Sequence, residues 1–153
     1  MVGLNVVLSL INVVYLWRML RSRHDAHAYT VLEVEPDDRY LAHVLHVHRE
    51  DIARYNPGFT HDPHGDHSAY LVLKGDETVG VVVVEQDGDT GHVRLDYVTP
   101  RYRDFTPGRF VWRQSGLLAG RGLRRVVTSP TMVEAYYDRL GFRRDGQSWV
   151  LDL

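Results

Sequence analysis

The chain opens on an apolar run and then changes rhythm. Residues 2–20, VGLNVVLSLINVVYLWRML, carry no charge before Arg18. As a helix rising ~1.5 Å per residue this run spans roughly 28 Å, close to the thickness of a bilayer core. Nothing basic precedes it, as a secretory signal would require, whereas Arg18, Arg21 and Arg23 crowd its far end. This pattern predicts a transmembrane or membrane-embedded helix with a basic flank over residues 1–24, and the positive-inside rule puts the rest of the chain at the cytoplasmic face. Asn5, Ser9 and Asn12 share one stripe of that helix. Amides facing lipid are costly, so the stripe predicts packing on another transmembrane helix. The alternative is an amphipathic helix belonging to the soluble domain.

Beyond His27 the apolar positions recur in short runs. Tyr29 to Val34 reads as a strand, followed by the acidic helix start Pro36-Asp37-Asp38. Leu41, Val44, Leu45, Ile52 and Tyr55 then keep helical spacing up to Asn56-Pro57-Gly58. Ala69–Lys74 and Thr78–Glu85 are β-rich and flank Gly75-Asp76, a hairpin signal, and Asp87-Gly88-Asp89 turns the chain into a further strand at His92–Val98. Phe110, Val111, Leu117 and Leu118 mark the inner face of a helix ending at Gly120 and Gly122, and Leu123–Thr128 is a strand. Met132, Val133, Tyr136 and Leu140 line a last helix that Ser129 can cap, with Pro130 in its first turn and Gly141 past its end. Asp145-Gly146 closes a final hairpin from Phe142 to Leu153. The order β-α-β-β-β-α-β-α-β-β requires a mixed α/β sheet of six to seven strands with helices on both faces.

Composition adds two constraints. The chain has 153 residues and no cysteine, which excludes disulfides, thiolate metal sites and cysteine nucleophiles. The net charge of −2 conceals an asymmetry: Asp25 to Asp96 carries fifteen acids against five bases, and Arg101 to Arg144 ten arginines against three acids. Such halves suit a protein holding a polyphosphate on one side and a cation on the other, although halves that interleave on folding give the same count. His61, His64 and His67, with Asp62 and Asp66, offer metal-ligand chemistry. Pro63 and Gly65 between them make a solvated linker the expected reading, and no metal or nucleic-acid partner is expected.

Three stretches resemble the GNAT acyltransferase superfamily. They are Tyr97-Val98-Thr99-Pro100-Arg101-Tyr102-Arg103-Asp104-Phe105-Thr106-Pro107-Gly108, then Tyr137-Asp138-Arg139-Leu140-Gly141-Phe142, and the closing hairpin with Trp149 and Asp152-Leu153. The resemblance covers residues 27–153 and implies transfer of an acetyl or other acyl group from coenzyme A to an amine acceptor. It implies acetyl-CoA as cosubstrate, with the pyrophosphate on the amides of Asp104, Phe105, Thr106, Gly108 and Arg109, and Arg103 beside it. The edge of the preceding strand at Tyr97 and Val98 would pair with the pantetheine amides. A turn entering a helix suits such a role because unpaired N–H groups and the helix dipole converge there. In this chain Thr106 replaces the first glycine of the family pattern and Pro107 has no N–H to give. Pro130 stands where the family often has asparagine, which leaves Ser129 as the nearest polar substitute for holding the cofactor.

By the same resemblance Tyr137 is the general acid that protonates the departing thiolate. A carboxylate or histidine must take a proton from the amine, and Asp96 and Glu85, with His92 behind them, are the candidates. The functions implied are an N-acyltransferase tethered to the cytoplasmic membrane face or, alternatively, a membrane-tethered acyl-CoA-binding or regulatory module without turnover.

Overall fold

The computed structural model describes residues 29–129 and 134–153. The helix expected over residues 1–24, with Asn5, Ser9 and Asn12, lies outside them, as do Pro130, Met132 and Val133. Among the described residues no helix is long and apolar enough to cross a membrane.

Strands β1 (Tyr29–Val34), β2 (Ser68–Lys74), β3 (Glu77–Asp87), β4 (Thr90–Val98), β5 (Arg125–Thr128), β6 (Arg143–Asp145) and β7 (Ser148–Asp152) form one sheet in the order β1-β2-β3-β4-β5-β7-β6. The first four make an antiparallel meander. Its tight turns use Gly75 at φ 64° and Gly88 at φ 60°, a left-handed conformation open to glycine at little cost. β4 and β5 run parallel, and β7 enters between β5 and β6.

Helices cover both faces. On one, α1 (Arg39–Val47) and α2 (Arg49–Tyr55) bury Leu41, Val44, Leu45 and Ile52 against Leu71, Val81, Val83, Leu95 and Tyr97. On the other, Val111, Trp112, Tyr137 and Leu140 pack on Val72, Val82, Val84, Val93 and Val126. They belong to α3 (Thr106–Arg109, continued by a π turn over Phe110–Gln114) and to α4 (Glu134–Arg139) with the residue after it.

Two helices differ from the sequence expectation. The helical spacing from Leu41 to Tyr55 predicts one helix, but the chain breaks at His48, whose φ of −100° and ψ of 11° end α1 and start α2. The His48 ring packs against Tyr97, 5.4 Å between centroids, so a tertiary contact accompanies the break. The helix after Pro107 also stops early. Ser115 turns its hydroxyl back onto Val111 O at 2.7 Å, and Gly116 takes φ 63°, ahead of the glycines at 120 and 122.

One irregularity positions the site. The β3–β4 register steps from Val83↔Leu95 to Val84↔Val93, so Arg94 is the extra residue of a β-bulge. Pairing of β4 with β5 ends at the same level, at Val93↔Thr128. From Leu95 to Val98, β4 is therefore paired on its β3 side and open on the other. The bulge also reverses the alternation of side chains. Val93 packs under α3 and α4, Leu95 and Tyr97 pack under α1 and α2, and Asp96 returns to the α3–α4 face.

Candidate active site

Where β4 parts from β5, a cleft of about 320 Å³ opens between α3, α4 and the C-terminal end of α2. Asp96 forms its floor. Its Oδ2 accepts hydrogen bonds from Trp112 Nε1 at 3.0 Å and from the Tyr137 hydroxyl at 3.1 Å, while Oδ1 takes none from the described residues. Burial outweighs both bonds and pushes the carboxyl up to about 6. Tyr137 is 2% exposed, and burial with the Asp96 charge beside it raises the phenol well above its usual range. The structure thus brings together two of the three catalytic candidates. The wide turn at Phe110–Gln114 buries both Val111 and Trp112, the latter as the second donor to Asp96.

The third candidate stands apart. Glu85 is half-exposed on β3 and ion-paired with Arg94 at 2.8 Å, and that hydrogen bond and charge hold its carboxyl below the usual range. It faces a second cleft, about 450 Å³, shared with Asp62, Asp66, His67, Arg94 and Ser129. His92 lies beside Glu85 in the β3–β4 register. Ser129 is therefore in the second cleft and Tyr137 in the first. His61 and His67 are half-buried and meet edge to face at 6.1 Å, while Asp62, Pro63, His64 and Asp66 are exposed. Among the described residues no group of three or more histidine, cysteine or acidic side chains could hold a metal ion.

The loop before α3 is built differently from a row of open amides. The Thr106 amide donates to Asp104 Oδ1 at 3.1 Å and the Asp104 amide to Tyr102 O at 2.9 Å. Arg109 N–H is taken by Phe105 O at 2.9 Å, and Pro107 has no donor. The amides of Phe105 and Gly108 meet no acceptor among the described residues. Thr106 and Pro107 have the residue types of a helix N-cap and first turn, but Asp104 supplies the capping oxygen, and Phe105 occupies the cap position at φ 67°. That left-handed conformation is strained for a residue with a side chain. The Phe105 ring is held between Tyr136, stacked at 5.9 Å, and the Arg139 guanidinium at 4.9 Å. Gly108 lies so close to Tyr136 that a Cβ there would sit 1.9 Å from the hydroxyl.

Arg103 turns away from this loop. Its guanidinium pairs with Asp51 of α2, its Nε donates to Val98 O at 3.0 Å, and it stacks on Tyr55 at 4.4 Å. Tyr97 sends its hydroxyl to the same Asp51 at 2.7 Å, so its ring braces α2. Burial pushes the Asp51 carboxyl up, but the bonds from Tyr97 and Arg103 and the nearby arginine charges prevail and lower it. At the open edge of β4, Asn56 Oδ1 accepts the Asp96 N–H at 3.3 Å. Backbone groups alternate in direction along a strand, so the edge facing the cleft belongs to Asp96 and Val98. Asp51, Tyr55, Asn56, Trp112, Tyr136 and Arg139 are site residues that the sequence reading did not single out. Arg139 was marked by its motif position, Asn56 by the turn signal Asn56-Pro57-Gly58, and Tyr55 and Tyr136 by helical spacing alone; nothing local marked Asp51 or Trp112.

The fold built on this mixed seven-stranded sheet is similar to that of solved acetyltransferases. The acetyltransferase of the GNAT family from Streptococcus pneumoniae superposes with a TM-score of 0.52 at 17% identity, covering 77% of this chain and 86% of that one. An acetyltransferase from Thermus thermophilus gives a TM-score of 0.58 at 20% identity over 82% of this chain and 97% of that one. YhhK from E. coli, solved bound to coenzyme A, gives 0.57 at 17% identity over 81% and 98%. No protein-family model and no curated protein sequence matches the chain.

Proposed function

We propose that the chain is an N-acyltransferase that moves an acetyl or other acyl group from coenzyme A to an amine by direct attack. One observation carries the reading: the open edge of β4 meets, in a single cleft, a carboxylate poised near neutrality and hydrogen-bonded to a buried phenol. A base whose conjugate acid titrates near 6 is matched to work at physiological pH.

Coenzyme A fits the residues present. With Asp96 N–H held by Asn56 and Val98 O by Arg103, the edge retains Asp96 O and Val98 N–H for the pantetheine amides, which would lie along it as an added strand. The pyrophosphate would rest on the Phe105 and Gly108 amides with Arg139 at the mouth. This is a thinner set of donors than the sequence pattern implied, since Tyr102 O, Asp104 Oδ1 and Phe105 O take the amides of Asp104, Thr106 and Arg109, and Asp51 holds Arg103.

The proton steps balance within the Asp96–Tyr137 pair. An amine arriving neutral forms the C–N bond to the acyl carbon and gives its proton to Asp96. The C–S bond breaks, and Tyr137 gives its proton to the departing sulfur. Tyr137 then recovers a proton from Asp96 across their 3.1 Å hydrogen bond. Protonating Asp96 first removes the negative charge that raises the phenol, so Tyr137 becomes a better acid when it is needed.

Calorimetric titration with acetyl-CoA and a thiol-release assay over a panel of amines test this reading. Binding with thiol release on at least one amine is expected. No heat with acetyl-CoA would overturn it, and binding without release on any amine favours the module without turnover. The apolar run at residues 2–20 supports a further part of the proposal, tethering of the domain to the cytoplasmic face of a membrane. The full chain is expected to stay in the membrane fraction through a high-salt wash and to leave it in detergent; release by salt alone would sink the tether.

A further inference from the structure

The two clefts share one lining residue among those described, Asn56, at the C-terminal end of α2. It is a polar side chain only 4% exposed. Its backbone is anchored on both sides, with its N–H on Ile52 O at 2.7 Å and its carbonyl taken by Phe59 N–H at 3.2 Å. The orientation of its amide is set by chemistry. Only Oδ1 can accept the Asp96 N–H, so the NH₂ group must point elsewhere. Nδ2 is sealed from water and meets no acceptor among the described residues. A buried donor left unpaired is costly, and native proteins keep few of them.

The position explains what such a donor serves. The edge N–H of Asp96 is the group that a carbonyl lying along β4 would otherwise meet. Asn56 occupies that N–H with its oxygen, and the side chain that carries the unpaired NH₂ group lines both clefts. We propose that Asn56 Nδ2 holds the acyl carbonyl oxygen of the thioester and stabilises the negative charge that this oxygen gains when the amine attacks. The inference rests on the acyltransferase reading. In the step, the C=O electron pair moves to oxygen as the C–N bond forms and returns as the C–S bond breaks; Asn56 neither gains nor loses a proton. Hydrogen-bond donors fixed before the reaction act most strongly on charge that develops during it.

The test compares acetyl-CoA with coenzyme A, which lacks the carbonyl, in the wild-type chain, Asn56→Asp and Asn56→Ala. Asn56→Asp keeps an oxygen for the Asp96 N–H and loses the NH₂ donor but adds a buried carboxyl, so thermal unfolding of both variants is followed beside binding to guard against one that fails to fold. The wild-type chain is expected to bind acetyl-CoA about five- to tenfold more tightly than coenzyme A, the worth of one hydrogen bond. Both variants should lose that preference while their coenzyme A affinity stays within about twofold. On an accepted amine, turnover at saturating acetyl-CoA should fall about a hundredfold in Asn56→Ala. A preference for acetyl-CoA retained in both variants overturns the role of Asn56. A wild-type chain that binds neither ligand overturns the acyltransferase reading beneath it.

Discussion

Asp96→Asn should make the protein harder to unfold and nearly inactive. The Asp96 carboxyl titrates at about 6 in the fold and near its ordinary value of 3.8 in the unfolded chain. Between these values the folded state binds more protons than the unfolded one, so stability falls as pH rises through this window. Above pH 6 the fold carries the full cost of a buried charge, on the order of 3 kcal/mol. Asparagine removes that charge and keeps an oxygen for Trp112 and Tyr137, at the cost of a new NH₂ group. The net gain at pH 8 should be roughly 1–3 kcal/mol in urea unfolding, shrinking toward zero by pH 4. In the wild type, kcat/KM should rise with pH through about 6, and in Asp96→Asn the residual rate should be low and flat there. A variant less stable than the wild type at pH 8 would show that the carboxylate is not a strained base kept for function.

Such a trade of stability for chemistry is where a sequence reading has least purchase. The meander, its glycine turns and the closing hairpin follow from local pattern, because Gly75, Gly88 and Gly146 each mark a left-handed backbone position. Asp96 and Tyr137 could be singled out separately, one by its place near a strand end and one by motif. Their contact spans 41 residues of sequence and depends on the bulge at Arg94, which no local signal announces. A strand without that extra residue would put Asp96 on the opposite face from Val93, under α1 and α2.

The loop before α3 shows the same limit from the other side. Its sequence suggests a Thr106 cap followed by Pro107, and local reasoning about such a pair is sound. Asp104 supplies the capping oxygen instead, and Phe105 accepts a strained backbone between the rings of Tyr136 and the guanidinium of Arg139. Arg103, which by position belongs beside a pyrophosphate, answers to Asp51, 52 residues earlier. Neither partner can be found without the fold.

Tyr137→Phe should lower turnover by about ten- to a thousandfold and leave the acetyl-CoA dissociation constant nearly fixed, since proton donation matters in the transition state. The ring and its contacts with Phe142 and Tyr136 stay, so thermal unfolding should move little. The hydroxyl is also one of two donors holding Asp96, and losing it should carry the acid limb of the remaining rate profile above 6. That shift separates Tyr137 from a merely structural phenol, because packing alone would not move a titration. Tyr136→Phe is the decisive comparison. The Tyr136 hydroxyl is buried with no partner among the described residues, so its removal should be neutral or stabilising. It lies against Gly108 and makes no hydrogen bond to Asp96, and the turnover loss in Tyr137→Phe should exceed that in Tyr136→Phe by at least about tenfold. Equal losses in the two variants, or an acid limb unmoved in Tyr137→Phe, would remove the proton from Tyr137.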